Sequence, residues 1–269
     1  MKKGKAVGLK IYAIFYLIFL YVPVLFLPLF SFNDSAFIAF PLSGFTTQWY
    51  AALADDVDML HALGNSLKVG SVAALLSTVL GLLAARAMTR YRVPGGRLVL
   101  GFTSLPLFIP DVVLGIALLL LWNAVDLPLG LAGIVLGHML ICVPFAITVL
   151  MSRLDGFDKS LDEASRDLGE TAWMTFWRLT FPLALPGIVS SLLLTFVVSF
   201  DEFLIAYFMS GTETTLPVFI WSQLRFPAKL PIVLALGAII LVASCVLVVA
   251  AETIRGIGFD RKNKPIVGA

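Results

Sequence analysis

The chain has 269 residues, of which 59% are hydrophobic and only 13% charged, and its formal net charge is +2. Soluble globular domains are about 45 to 50% apolar, so a mean hydropathy of +0.98 excludes a soluble domain and points to an all-α, polytopic membrane protein. No charge excess of the kind that holds nucleic acid is present, and the expected surroundings are lipid.

The chain opens on Lys2, Lys3 and Lys5 and continues into an apolar run, the outline of a signal peptide. That run lasts about twenty residues, enough to span a bilayer, and ends in "LPLFSFND" without a small-x-small cleavage site, so it is expected to be a retained anchor. Six segments satisfy the length rule: Ile11 to Phe32, Leu67 to Met88, Leu98 to Trp122, Gly130 to Met151, Gly187 to Phe208 and Pro231 to Thr253. The implied organisation is a cytoplasmic segment 1–10, a transmembrane domain 11–254 with a cytoplasmic loop 152–186, and a cytoplasmic tail 255–269.

The loops divide the 19 Lys and Arg unequally. One side collects the N-terminal lysines with Lys10, then Arg86, Arg90, Arg92 and Arg97, then Arg153, Lys159, Arg166 and Arg178, then Arg255, Arg261, Lys262 and Lys264. The other side has only Lys68, Arg225 and Lys229. The positive-inside rule puts the rich side, and with it both termini, in the cytoplasm. The loop with Asp34, Asp55, Asp56 and Asp58 then faces outward. Its aromatic residues Phe45, Trp49 and Tyr50 suit either an interfacial belt or contact with an external partner.

Several chemistries are missing from the sequence. GxxxxGK[ST], whose backbone amides cradle phosphates, does not occur, nor do HExxH or GxSxG. Two histidines, His61 and His138, cannot build a multi-histidine metal site. His138 lies inside the fourth span, where an ionisable group is a functional candidate; a neutral imidazole bonded to a neighbouring helix is the simpler reading. Cys142 and Cys245 fall within apolar runs and are expected to be small buried residues.

The loop from Ser152 to Pro186 is far longer than the usual helix-to-helix link of about 2 to 8 residues. Trp173, Phe176, Trp177, Leu179 and Phe181 make it too apolar for a disordered segment. "Ser160-Leu-Asp-Glu163" fits a capping box at the start of a short helix, and Gly169 suits its left-handed end. "ETAWMTFWRLTF" then has the spacing of a second, amphipathic helix, which Pro182 and Pro186 are expected to end before the fifth span. On local physics Glu163 either caps the first helix or contacts a partner.

Glu163-Ala164-Ser165, with Gly169 six residues after the glutamate and a closing "PLALPG", resembles the EAA motif of permease subunits of ATP-binding-cassette importers. Ser165 stands where the motif has a second alanine. "YVPVLFLPLFSFN", "GNSLKVGSVAALLSTVLGLLAARAMTRY", "PLFIPDVVLGIALLLLW" and "VVSFDEFLIAYFMSG" extend the resemblance, along most of the chain, to the second permease of the spermidine/putrescine type. The resemblance implies that Ser160, Asp162, Glu163, Ala164, Ser165, Asp167, Leu168 and Gly169 form a coupling helix seated on an ATPase. It also implies two ATPase subunits, a second and different permease, an external substrate-binding protein, and a bacterial inner-membrane location. ATP and Mg would be bound by the ATPase, with no cofactor and no catalysis in this chain.

Three carboxylates lie inside spans. Counted along straight helices at about 1.5 Å per residue, Asp111 and Asp201 both stand roughly 20 Å above the inner boundary, with Glu202 one residue higher. Adjacent helical residues diverge by about 100°, so only one of Asp201 and Glu202 is expected to face a central pathway. A charge at that depth needs a partner, water or a cavity. A pathway for organic amines supplies one; a helix cap at Asp111, after Pro106 and Pro110, and polar pairing for the other two supply the alternative. An ion-coupled secondary transporter could also use these groups, but leaves the long loop without a task. A membrane-embedded enzyme lacks a nucleophile, base or metal set.

Overall fold

The computed structural model describes residues 2–35, 37–158 and 160–260; Lys159 and, from the expected tail, Arg261, Lys262 and Lys264 lie outside them. In chain order the helices are α1 (Lys2–Ser31), α2 (Gln48–Ala54), α3 (Val57–Arg90), α4 (Gly96–Ser104), α5 (Asp111–Ala124) and α6 (Leu131–Leu154). They continue with α7 (Ser160–Asp167), α8 (Ala172–Thr175), α9 (Phe181–Asp201), α10 (Leu204–Met209), α11 (Leu216–Gln223) and α12 (Leu230–Asp260). Among the described residues there is no strand, only an isolated bridge between Asn33 and Phe45. Five helical stretches are long and apolar enough to cross a membrane, and α4 with α5 makes a sixth when that bent pair is taken as one span.

Contacts divide the chain into two units, one built from its ends, up to Met59 and from Ile220, the other from Leu60–Phe219. In the first, α1 packs against α12, and Leu27 lies where a side-chain carbon on Gly237 would make ordinary contact, at 3.7 Å. The segment after α1 is held by its own polar groups. Trp49 Nε1 donates to the Asn33 carbonyl at 2.8 Å, and Tyr50 and Ser31 share a hydroxyl bond of 2.6 Å. Trp49 and Tyr50 are thus partly buried, whereas Phe45 stays exposed. Cys245 is exposed on α12, contrary to the buried expectation, because an apolar run in lipid has an outward face that hydropathy alone does not separate from its inward face.

The second unit is organised around α6. Eleven of its residues are buried, from Gly133 to Leu154, and it packs on α9, α10 and α4. Small residues permit the closest approaches, as expected where lipid removes the hydrophobic drive and packing decides. A Cβ on Gly81 of α3 would stand 2.6 Å from Ala146 Cβ and 2.9 Å from that residue's backbone carbon. Thr78 and Ser191 tie α3 to α9 through a buried hydroxyl pair at 3.1 Å. One core gathers Val69, Leu114, Leu118, Ile134, Ile205 and Met209; a second gathers Leu82, Ala85, Leu150, Leu154, Ala184 and Ile188.

The fifth span departs from the sequence expectation at its start. Pro182 and Pro186 do not end a helix: the chain is helical from Ala172 to Asp201, and the aromatic segment is the first part of the span. A widened turn over Phe176–Thr180 precedes Pro182, with the Phe181 N–H reaching the Phe176 carbonyl. Proline lacks the hydrogen that a regular turn would need, and a π turn absorbs the mismatch without breaking the helix. Farther along, Ser190 Oγ donates to the Pro186 carbonyl at 2.8 Å.

Candidate functional site

Both spans that carry intramembrane carboxylates are broken at those residues. In the third, α4 runs into a tight turn at Leu105–Phe108, Ile109 and Pro110 are extended, and α5 restarts on Asp111 at 102° to the preceding segment. Pro106 and Pro110 account for the break, since each removes an amide and proline disfavours helix in the residue before it. The straight-helix depth count for Asp111 therefore does not apply. Its carboxyl sits in the first turn of α5, where the helix dipole favours negative charge, but makes no capping bond and is exposed.

The fifth span breaks immediately after Asp201. Glu202 has ψ 118° and ends α9, and α10 begins two residues later at Leu204. The Glu202 carboxylate turns back onto the new helix and accepts the Ile205 N–H, at 3.0 Å to one oxygen and 3.3 Å to the other. No proline or glycine announces this break; an acidic residue three positions before the amide it caps is the only local signal. The chain leaves its helical path only after Glu202, and both Asp201 and Glu202 line the same cavity, contrary to the expectation that only one would face it.

That cavity, about 550 Å³, is bounded by Asp111, Asp201 and Glu202 together with Leu107, Ile141, Phe145, Val198, Phe203 and Leu204. Apolar walls with a few convergent acids are the usual make-up of a small-molecule site. Broken helices opening on a cavity are also the form in which irregular backbone is tolerated at membrane depth. Behind the wall, His138 is 1% exposed. Its Nδ1 shares a 2.7 Å bond with Ser199 of α9, and its Nε2 lies 3.8 Å from Glu202. The expected imidazole bond to a neighbouring helix is present, and the same ring stands behind the carboxylate at the break.

The second candidate site is the loop helix α7. Asp158 accepts the Ser160 amide at 3.0 Å, so Asp158 supplies the cap expected of Ser160, which is itself the first helical residue. Those bonds from the Ser160 amide and hydroxyl hold the Asp158 carboxyl below its ordinary range. At the far end Gly169 has φ +88°. Glu170 N–H reaches the Ser165 carbonyl and Gly169 N–H the Arg166 carbonyl, the paired bonds of a Schellman end.

Between these ends the helix has two faces. Asp162 and Ser165, one turn apart, are partly buried; Glu163, Ala164, Asp167 and Leu168 are exposed, Leu168 at 86%. Asp162 lies 3.1 Å from Arg90 of α3, and Ser165 Oγ shares a 3.0 Å bond with Thr175 of α8. An exposed leucine beside carboxylates on a short, well-ended helix suits docking on another protein. The sequence did not mark Arg90 as Asp162's partner, since the two lie 72 positions apart.

Residues 77–254 match the family described as binding-protein-dependent transport system inner membrane component. The chain is also 35% identical over 237 residues to the spermidine/putrescine transport system permease protein PotC of Escherichia coli strain K12, covering 88% of this chain and 89% of that protein. This chain belongs to that transport family. The permease is 37% identical over 231 residues to the putrescine transport system permease protein PotI of Escherichia coli strain K12, covering 83% and 82% of the two chains. Its fold is that of a chain in the crystal structure of a bacterial ABC transporter that imports the acidic polysaccharide alginate. The TM-score is 0.71 at 17% identity, over 94% of this chain and 97% of that one. A chain of the inward-facing MetNI methionine ABC transporter gives a TM-score of 0.60 at 15% identity, over 78% and 97%. The protein is thus a multi-pass, non-catalytic permease of a bacterial ABC importer. Family membership implies an ATPase, a substrate-binding protein and a partner permease.

Proposed function

We propose that this permease carries polyamines, spermidine and putrescine or closely related organic cations, into the cytoplasm by alternating access. The observation that carries the reading is the convergence of Asp111, Asp201 and Glu202 on one cavity at the breaks of two spans. Three acids so placed have no lysine or arginine among the residues around them. At an effective dielectric typical of a protein surface, an ammonium 4 Å from a carboxylate gains about 4 kcal/mol before desolvation is counted. A di- or tricationic chain can meet more than one of the three. The similarity to PotC and PotI supports the same class of solute.

In this reading α7 seats its Glu163, Ala164, Asp167 and Leu168 face on an ATP-binding cassette subunit. Two such subunits serve this chain and a second, different permease, and a binding protein delivers solute from outside. ATP and Mg belong to the ATPase. Both termini and α7 are cytoplasmic, supported by the gathering of Arg86, Arg90, Arg153 and Arg178 around the loop. Nucleotide shifts the permease between inward- and outward-facing states to the extent that it binds them unequally.

The test is uptake of labelled putrescine and spermidine by proteoliposomes containing the whole importer, with Asp201→Asn and Glu202→Gln variants. Each is expected to lower uptake by about tenfold, one lost ammonium contact, while the ATPase stays bound. Uptake unchanged in both variants would remove the carboxylates from the pathway.

A further inference from the structure

Covalently α7 follows the fourth span, α6, and on its far side leads to the fifth; neither link reaches the second span. The far link passes the left-handed Gly169, then Glu170 and Thr171, into α8 and α9. A noncovalent route leaves from the helix's inward face. Arg90 Nε lies 3.1 Å from Asp162 Oδ2, with the two side chains 9% and 16% exposed. The Nε lacks the alignment of a hydrogen bond, so charge holds the pair. The same guanidinium donates through NH1 to the Phe157 carbonyl at 3.5 Å, just before α7.

One turn back on α3, Arg86 grips the segment after α7. Its guanidinium lies 4.7 Å over the Phe176 ring, and NH2 donates to the Ala172 carbonyl at 3.4 Å. Two arginines at i and i+4 therefore fasten the second span to both sides of the loop, one before Gly169 and one after it. Among the described residues, Asp162 to Arg90 is the only ion pair joining α7 to a membrane span. Arginine suits the task because its planar, permanently charged group serves an ion pair and an aromatic face equally well.

We infer that Arg90 is a positioning residue of the transport cycle: through Asp162 it makes the second span follow the coupling helix, so that one displacement of α7 moves spans two and five together. This rests on the reading of α7 as the ATPase contact. Coupling carried by packed and charged contacts can be cut at a single pair without removing either binding site. The Asp162 carboxylate is then a tie to α3, and the outward face of α7 is left to the ATPase.

The experiment uses the complete importer in proteoliposomes with putrescine as the probe. Arg90→Ala, Asp162→Ala and the exchange of Arg90→Asp with Asp162→Arg are compared for putrescine moved per ATP hydrolysed. Each single change is expected to lower that ratio about tenfold, within the usual range of coupling between sites, and the exchange to restore most of it. Spin labels at the cytoplasmic ends of α3 and α9 give a second reading: nucleotide shifts both in the unmodified protein, and in Arg90→Ala the α3 label moves less than the α9 label, since Arg86 and the Thr78–Ser191 pair still hold α3. An unchanged ratio, an exchange without recovery, or an α3 label that still moves fully would each overturn the proposal. So would losses that merely track departure of the ATPase, since they assign the pair to holding the loop together. An unmodified chain that retains no ATPase would instead sink the importer reading, and this proposal with it.

Discussion

Gly169 offers a perturbation whose size can be worked from its surroundings. It ends α7 at φ +88°, and a Cβ built there meets nothing within 4 Å. Gly169→Ala therefore has no steric cost to a neighbour; the whole penalty is backbone. For an alanine in a left-handed conformation that penalty is about 1 to 2 kcal/mol. If the end of α7 must be closed for docking, the closed-to-open ratio falls by the corresponding factor of roughly 5 to 30, and apparent affinity falls with the closed fraction, by up to that factor. Gly169→Asn should lose much less, because asparagine tolerates this region. The assay is titration of the purified ATPase onto detergent-solubilised permease, read as an apparent Kd for the unmodified protein and both variants. Equal affinities for all three, or equal losses for Ala and Asn, would refute a role for the left-handed turn in presenting the helix.

At Gly81 the obstacle is backbone rather than conformation, because the added methyl meets Ala146 Cβ at 2.6 Å and Ala146 carbon at 2.9 Å. Gly81→Ala should lower stability by about 1 to 3 kcal/mol, seen as a lower melting temperature in detergent, whereas Gly101→Ala, with open space around it, should not. Glu202 has a capping task separable from its charge: Glu202→Ala should cost about 1 kcal/mol of stability through the lost acceptor for Ile205, while Glu202→Gln keeps an acceptor and should melt near the unmodified protein. His138→Phe conserves bulk but removes the partner of Ser199. It should destabilise by about 1 to 3 kcal/mol, measured by thermal unfolding of the same preparations.

Much of the architecture could be read before any coordinates. The helical class and the presence of several spans follow from the cost of unpaired backbone in lipid, which forces long apolar runs. Gly169 was legible because glycine is the residue that enters the left-handed region without penalty. Asp111, Asp201 and Glu202 were legible as candidates because charge at membrane depth is expensive. The rest depended on contacts between distant positions. Pro182 and Pro186 signalled a stop, yet the widened turn at Phe176–Thr180 carries the helix through them. Only packing against the neighbouring helices could decide between those outcomes.

The break after Asp201 is the sharper case. Its sequence, "SFDEFLIAY", carries no proline or glycine and satisfies a continuous helix as well as a broken one. What separates the two is α10 seated against α5 and α6, with Ile205 and Met209 in the shared core and the Glu202 carboxylate available to cap it. The same distance in sequence hides Arg90 from Asp162. Sequence alone therefore determined that this chain crosses the membrane, which of its residues are too costly to sit there without a reason, and where a polar helix interrupts it. The tertiary structure alone decided that the costly residues meet in one cavity and that the polar helix is tied to a second span, because both are meetings of side chains that local propensity does not encode.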